Sequence, residues 1–146
     1  MLNKPMQILL ADDDKDDCYL FREALSELPV NALLETVSDG EELLKYLQDH
    51  GKNHPDVIFL DLNMPKKNGF ECLTEIKIND EWKEIPVIMF STSYPRDAHY
   101  EQDMMKVLYS IGAKDYVRKP ASFPELKKVI YHSLLRVQED SKKAEV

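Results

Sequence analysis

The chain of 146 residues is long enough for one domain with a sizeable hydrophobic core. Its 43% hydrophobic and 32% charged residues are typical of a folded, soluble protein, and the net charge of −8 argues against general nucleic-acid binding, which needs a basic face. No run approaches the ~18 apolar residues of a membrane span, and the N-terminus turns acidic before a signal-peptide core develops, so we expect a cytoplasmic protein with no membrane contact.

Short apolar runs alternate along the chain with stretches in which apolar residues recur at helical spacing. The runs predict five strands, at residues 7–11, 32–37, 56–60, 86–91 and 114–117. A helix is predicted after each strand, at about residues 18–28, 38–51, 70–76, 104–111 and 123–137. Ser38 and Glu41 fit a capping box that opens the second helix, and Gly51 fits its end.

This alternation predicts the α/β fold class, with a parallel sheet covered by helices on both faces. Five strands are too few for an eight-stranded barrel, so we expect an open, doubly wound sheet. The site of such a sheet lies outside the carboxyl ends of its strands. We expect a single domain over residues 1–146, with its core at about 6–138 and a short flexible tail at 139–146.

Acidic residues follow two of the strands at the predicted site edge. Asp12 and Asp13 follow the first strand, and Asp61 follows the third, VIFL. Burying a lone carboxylate is costly, and two carboxylates 4 Å apart repel by about 4 kcal/mol at an effective dielectric of about 20. A cluster of three must therefore take up a proton or a cation, and its hard oxygen ligands suit Mg²⁺. The neighbouring acids Asp14, Asp16 and Asp17 are explained by capping and by the helix dipole.

A hydroxyl and an amine follow two further strands. Taken alone, Ser91 is a strand-end serine and Lys119 a surface lysine. Together with the acid cluster they make a phosphate site, because phosphoryl transfer needs mainly alignment and charge neutralisation. Asp61 is the candidate nucleophile, since it stands alone at its strand end. The chain contains no glycine-rich P-loop, which argues against a nucleotide-cradling NTPase.

The chain resembles the receiver domain of two-component response regulators in four segments that follow one another in this order: ILLADDD, VIFLDLNMPKKNGFE, PVIMFSTS and DYVRKP. The resemblance covers about residues 6–138, and Asp13, Asp61, Ser91 and Lys119 follow one another at separations of 48, 30 and 28 residues. It implies a flavodoxin-like sheet with strand order 2-1-3-4-5. It also implies a stand-alone signalling protein that catalyses only its own phosphorylation and dephosphorylation.

The resemblance further implies roles for individual residues. Asp61 is similar to the phospho-acceptor, Asp13 to the direct Mg²⁺ ligand, and Asp12 to the acid that acts on the ion largely through water. Asn63 matches the position whose backbone carbonyl binds the metal.

Three more residues match positions that respond to the phosphoryl group. Ser91 resembles the switch hydroxyl and Lys119 the lysine that pairs with the phosphoryl oxygens, with a cis bond to Pro120. Tyr116 resembles the aromatic switch, and a plain strand aromatic is the alternative for that residue.

The chain departs from the family pattern after the fourth strand. Thr92 stands where the family more often has alanine, beside the path of the attacking water, which affects the expected phosphoryl lifetime. The connection through residues 93–97 is longer than the minimal pattern. It is either a solvent loop or a partner-specific surface.

The partners implied are a sensor histidine kinase or phosphotransfer protein as donor, a downstream protein, and a second copy in a homodimer. Two alternatives stay open. One is a degenerate receiver that binds a partner without phosphorylation. The other is a phosphohydrolase of the haloacid dehalogenase type, which is disfavoured because Asn63 occupies the place of its second acid.

Overall fold

The structure, a computed structural model, describes residues 4–92 and 98–144. Its strands are β1 (Met6–Ala11), β2 (Ala32–Val37), β3 (Val57–Leu60), β4 (Val87–Ser91) and β5 (Asp115–Arg118). Its helices are α1 (Lys15–Ser26), α2 (Gly40–His50), α3 (Gly69–Ile78), α4 (Ala98–Ile111) and α5 (Phe123–Ala144). The predicted alternation of strands and helices is confirmed.

All four strand pairings are parallel, and the sheet order is β2-β1-β3-β4-β5. This confirms the α/β class and the strand order. The register aligns Ala11 of β1 with Leu60 of β3, and Leu60 with Met89 of β4. Asp12 and Asp61 are therefore brought to the same level at the carboxyl edge of neighbouring strands.

The two faces of the sheet bury separate hydrophobic clusters, because alternate strand residues point to opposite sides. One cluster joins Leu9, Ile58 and Leu60 to helices α2, α3 and α4. The other joins Ile8, Leu10, Val57, Phe59 and Phe90 to helices α1 and α5. Both faces of the central strands are covered, which explains their continuous apolar runs. None of the helices in the described ranges combines the length and apolar character that crossing a bilayer requires.

The caps of the first two helices fall partly where the sequence predicts them. Asp14 caps α1 and accepts hydrogen bonds from the backbone N–H groups of Asp16 and Asp17, as expected. The capping box at Ser38 and Glu41 is wrong by one residue. Asp39 is the N-cap of α2 and accepts from the N–H of Glu42 at 2.8 Å, because the helix begins at Gly40 rather than at Asp39.

Two further features differ from the expectations, and a third expectation falls on residues that the structure does not describe. Helix α5 continues to Ala144, so most of the segment expected as a flexible tail is helical; the segment contains no glycine or proline, and Asp140 forms an ion pair with Lys114. The bond between Lys119 and Pro120 is trans, where the resemblance implies cis. The connection at residues 93–97 lies outside the described residues.

Candidate functional site

The loop from β3 to α3 fixes the position of Asp61. The backbone N–H of Asp61 donates to the carbonyl of Ala11 at 3.0 Å, which ties the end of β3 to β1. The loop then folds back so closely that a Cβ atom at Gly69 would lie 2.2 Å from the carbonyl oxygen of Asp61. Asn68 caps α3 in a reciprocal capping box with Glu71. A glycine at this helix start therefore lets α3 begin directly against the backbone of Asp61.

Three carboxylates converge at this edge of the sheet. Asp12, Asp13 and Asp61 each offer an oxygen atom, and these atoms lie within 4.8 Å of one another. Asp12 and Asp61 are buried, at 2% and 6% exposure, while Asp13 is exposed. Burial raises the pKa of Asp12 to about 6, against the opposing effect of its hydrogen bond from Lys119. The cluster is therefore a set of hard oxygen donors whose negative charges are close together and partly buried, as expected of a cation site.

Lys119 neutralises part of this charge. Its ammonium donates to Asp12 at 2.6 Å and to Asp17 at 2.8 Å, and lies 3.4 Å from Asp61. Burial by itself lowers the pKa of Lys119, but the hydrogen bonds to Asp12 and Asp17 and the negative charges of Asp61 and Asp12 together outweigh burial, so the pKa is raised. The ammonium is therefore permanently charged near neutral pH.

Ser91 lies against the other oxygen of Asp61. Its side chain is fully buried, and its hydroxyl donates to Oδ1 of Asp61 at 3.2 Å. The backbone N–H of Asn63 donates to the same oxygen at 3.4 Å. Asp61 thus has a hydroxyl and an amide on one carboxylate oxygen and an ammonium on the other. Thr92, the next residue along the chain, is exposed.

Tyr116 lies apart from the carboxylates, on the central residues of β5. It is half-buried and packs against the core cluster of helices α2 to α4. Its side chain borders a cavity of about 290 Å³ whose other lining residues are Leu62, Asn63, Asn68, Phe70, Tyr100, Glu101 and Met104. The cavity connects the neighbourhood of Tyr116 to the loop that follows Asp61.

Asp17 is a site residue that the sequence reasoning missed. Its charge was explained by the dipole of α1, but its carboxylate is hydrogen-bonded to Lys119, 102 residues away in sequence. Two features of the sequence could have indicated it: Asp17 falls in the first turn of the helix after the first strand, and that turn begins at the site edge. Of the predicted site residues, Tyr116 lies apart, and the structure brings the others together: Asp12, Asp13, Asp61, Asn63, Ser91 and Lys119.

Comparison with known proteins gives consistent matches over most of the chain. The family model described as response regulator receiver domain matches residues 8–131. The chain is 36% identical over 132 residues to the response regulator Rcp1 of Synechocystis sp., covering 88% of this chain and 86% of Rcp1.

Two solved structures are similar in fold as well as in sequence. The phosphorylated cyanobacterial phytochrome response regulator RcpA gives a TM-score of 0.74 at 36% identity, covering 87% of this chain and 89% of that one. The Mn²⁺-bound form of response regulator Rcp1 gives a TM-score of 0.73 at 35% identity, covering 86% and 89%.

Proposed function

Because this chain belongs to the family of response regulator receiver domains, we propose that Asp61 accepts a phosphoryl group and that the modified site switches a protein-binding surface. The protein acts in two-component or phosphorelay signalling. One observation carries the assignment of Asp61. Its buried carboxylate lies beside the hydroxyl of Ser91, the ammonium of Lys119 and two further carboxylates.

The transfer step uses a carboxylate oxygen of Asp61 as the nucleophile. This oxygen attacks the phosphorus of a phosphohistidine in the donor protein, so a P–O bond forms while the P–N bond breaks. The electron pair of the P–N bond leaves with the imidazole, which takes up a proton from solvent. Lys119 offers positive charge to the phosphoryl oxygens, and Ser91 offers a hydroxyl hydrogen bond.

The same acids hold a divalent cation, for which we propose Mg²⁺. Asp13, Asp61 and the backbone carbonyl of Asn63 would hold the ion directly, and Asp12 would act on it largely through water. When bound, the ion neutralises charge on the carboxylates and on the phosphoryl oxygens. The oxygen-only donor set supports a hard cation, and the relative Rcp1 has been solved in an Mn²⁺-bound form.

The phosphoryl group adds about −1.5 to −2 charge at neutral pH. Ser91 and Lys119 turn toward it, and this biases a two-state equilibrium of the surface formed by α4 and β5. Tyr116 acts as the aromatic switch, and the cavity of about 290 Å³ beside it provides room for its ring to move.

The donor is a sensor histidine kinase or a phosphotransfer protein, and the output is a contact with a downstream protein or with a second copy of the chain. The similar response regulator RcpA has been solved in a phosphorylated form, which supports phosphorylation of this chain. We further propose that the chain is one cytoplasmic receiver domain whose chemistry is limited to its own phosphorylation and dephosphorylation.

Intact-mass measurement after incubation with phosphoramidate tests the assignment of Asp61. Wild type in Mg²⁺ is expected to gain one phosphoryl group, and Asp61→Asn none. Asp80→Asn is the matched control, because Asp80 is an aspartate whose side chain is 94% exposed. It is expected to behave as wild type.

The contrary outcomes separate the alternatives. Phosphorylation of Asp61→Asn to the wild-type extent would contradict the assignment. A wild type that binds Mg²⁺ but takes up no phosphoryl group and no beryllofluoride would instead favour a degenerate receiver.

A further inference from the structure

Lys119 shares its ammonium among three carboxylates that come from three different elements. Two contacts are short, to Asp12 after β1 at 2.6 Å and to Asp17 of α1 at 2.8 Å. The contact to Asp61 is longer, at 3.4 Å, beyond the usual range of a strong charge-assisted hydrogen bond. A lysine ammonium has three N–H donors. In this arrangement the two shortest hydrogen bonds of the ammonium go to Asp12 and Asp17 and not to Asp61, the proposed phospho-acceptor.

From this arrangement we propose that Asp17 is a positioning residue that restrains Lys119 in the unphosphorylated state and competes with the phosphoryl group for its ammonium. The proposal rests on the function proposed above, since it concerns the same lysine. It assigns Asp17 a regulatory effect on phosphorylation that its place in the first turn of α1 does not require.

The two short partners differ in how easily they can release the ammonium. The side chain of Asp12 is only 1% exposed, so it cannot be rehydrated in place. The side chain of Asp17 is 32% exposed, so water can replace the ammonium there. Asp17 is therefore the partner that gives up Lys119 when a stronger anion forms at Asp61.

A bound cation would also affect the competition between Asp17 and the phosphoryl group for the ammonium of Lys119. The three carboxylates that lie close enough to share an ion are Asp12, Asp13 and Asp61, and Asp17 is not among them. A bound cation would supply positive charge to Asp12 and reduce its need for Lys119. The lysine would then be divided mainly between Asp17 and the group on Asp61.

The first turn of α1 holds Asp17 in the required position. Asp14 accepts the backbone N–H groups of Asp16 and Asp17 at 2.9 and 3.2 Å, which fixes the backbone of both residues. Asp16 is exposed and is not among the three carboxylates bonded to Lys119, whereas Asp17 is half-buried. Asp16 therefore provides a control with the same charge in the same helical turn.

The proposal is tested on the full chain by calorimetric titration with beryllofluoride in the presence of Mg²⁺, which measures the Kd for beryllofluoride. Asp17→Asn keeps the size of the side chain and removes its charge. We expect its Kd for beryllofluoride to fall about fivefold relative to wild type, near the upper end of what a partly exposed ion pair supplies. Asp16→Asn is expected to leave the Kd within twofold of the wild-type value, and Asp17→Glu is expected to restore it.

Four results would overturn the proposal. An equal change in the Kd for beryllofluoride in Asp17→Asn and Asp16→Asn would mean that only the charge of the helix terminus matters. Weaker binding in Asp17→Asn would mean that Asp17 supports the active arrangement. Wild type that binds Mg²⁺ but no beryllofluoride would remove the phospho-acceptor function itself, and this proposal with it. Binding by wild type that Asp17→Asn leaves unchanged would overturn the role of Asp17 alone.

Discussion

Asp12 is buried between charges of both signs, and its protonation links the site to the stability of the fold. Burial raises the pKa of Asp12 from 3.8 to about 6. Between these values the folded protein binds a proton that the unfolded chain has released. The proton on Asp12 therefore stabilises the folded state. This stabilisation is fully present below the unfolded pKa of 3.8 and is lost as the pH rises through about 6.

Asp12→Asn is accordingly expected to stabilise the cation-free protein at pH 7. We expect a gain of about 2 kcal/mol in the free energy of unfolding, because a neutral amide replaces a desolvated charge. Urea unfolding with a chelator present measures it. The gain should shrink to near zero at about pH 3, which lies below the pKa of Asp12 in both the folded and the unfolded state. A loss of stability at pH 7 would show that the ion pair with Lys119 outweighs desolvation.

Asp13 provides a test of the cation site that leaves the core intact. A ligand that binds only the folded state at 100 times its Kd stabilises that state by about 2.7 kcal/mol. Wild type should therefore show a higher melting temperature in excess Mg²⁺. Asp13→Asn, at an exposed position, should lose most of this increase. Asp80→Asn should keep it, and an equal increase in all three proteins would place the ion elsewhere.

At the scale of helices and strands, hydrophobic periodicity was enough to predict most of the architecture. The continuous runs of β3 and β4 identified strands covered on both faces, and the strand-end acids identified the edge that carries the site. The ends of helices were harder to predict, because local side-chain bonds and distant ion pairs decide them. Ser38 illustrates this: its hydroxyl bonds to Glu42 at 2.6 Å, while Asp39 performs the capping.

The corrected cap of α2 can be tested by substitution. Asp39→Ala should lower the free energy of unfolding by about 1 kcal/mol, because the N–H of Glu42 loses its acceptor. Glu41→Ala should change it by less than about 0.5 kcal/mol, the range of ordinary surface substitutions. The reverse order in chemical denaturation would support the capping box predicted from Ser38 and Glu41.

At the scale of the whole molecule, the site depends on contacts that no local pattern reveals. The resemblance paired Lys119 with the phosphoryl group on Asp61, and the structure places the two residues in contact. Lys119 lies in the connection from β5 to α5, and its ammonium reaches Asp17 in the first turn of α1, which packs on the same face of the sheet as α5. A sequence reading assigns charges near a helix start to that helix, so it had no reason to connect Asp17 with a lysine 102 residues later.

The three-way contact of Lys119 also has a consequence for biosynthesis. Its partners at Asp12 and Asp17 lie 107 and 102 residues earlier in the chain. Chains are made from the N-terminus, and early segments begin to fold before late ones emerge. A ribosome-bound chain that ends before β5 carries Asp12, Asp13 and Asp61 without the ammonium that balances them. Such a nascent chain would present an acidic sheet edge whose charge Lys119 does not yet balance.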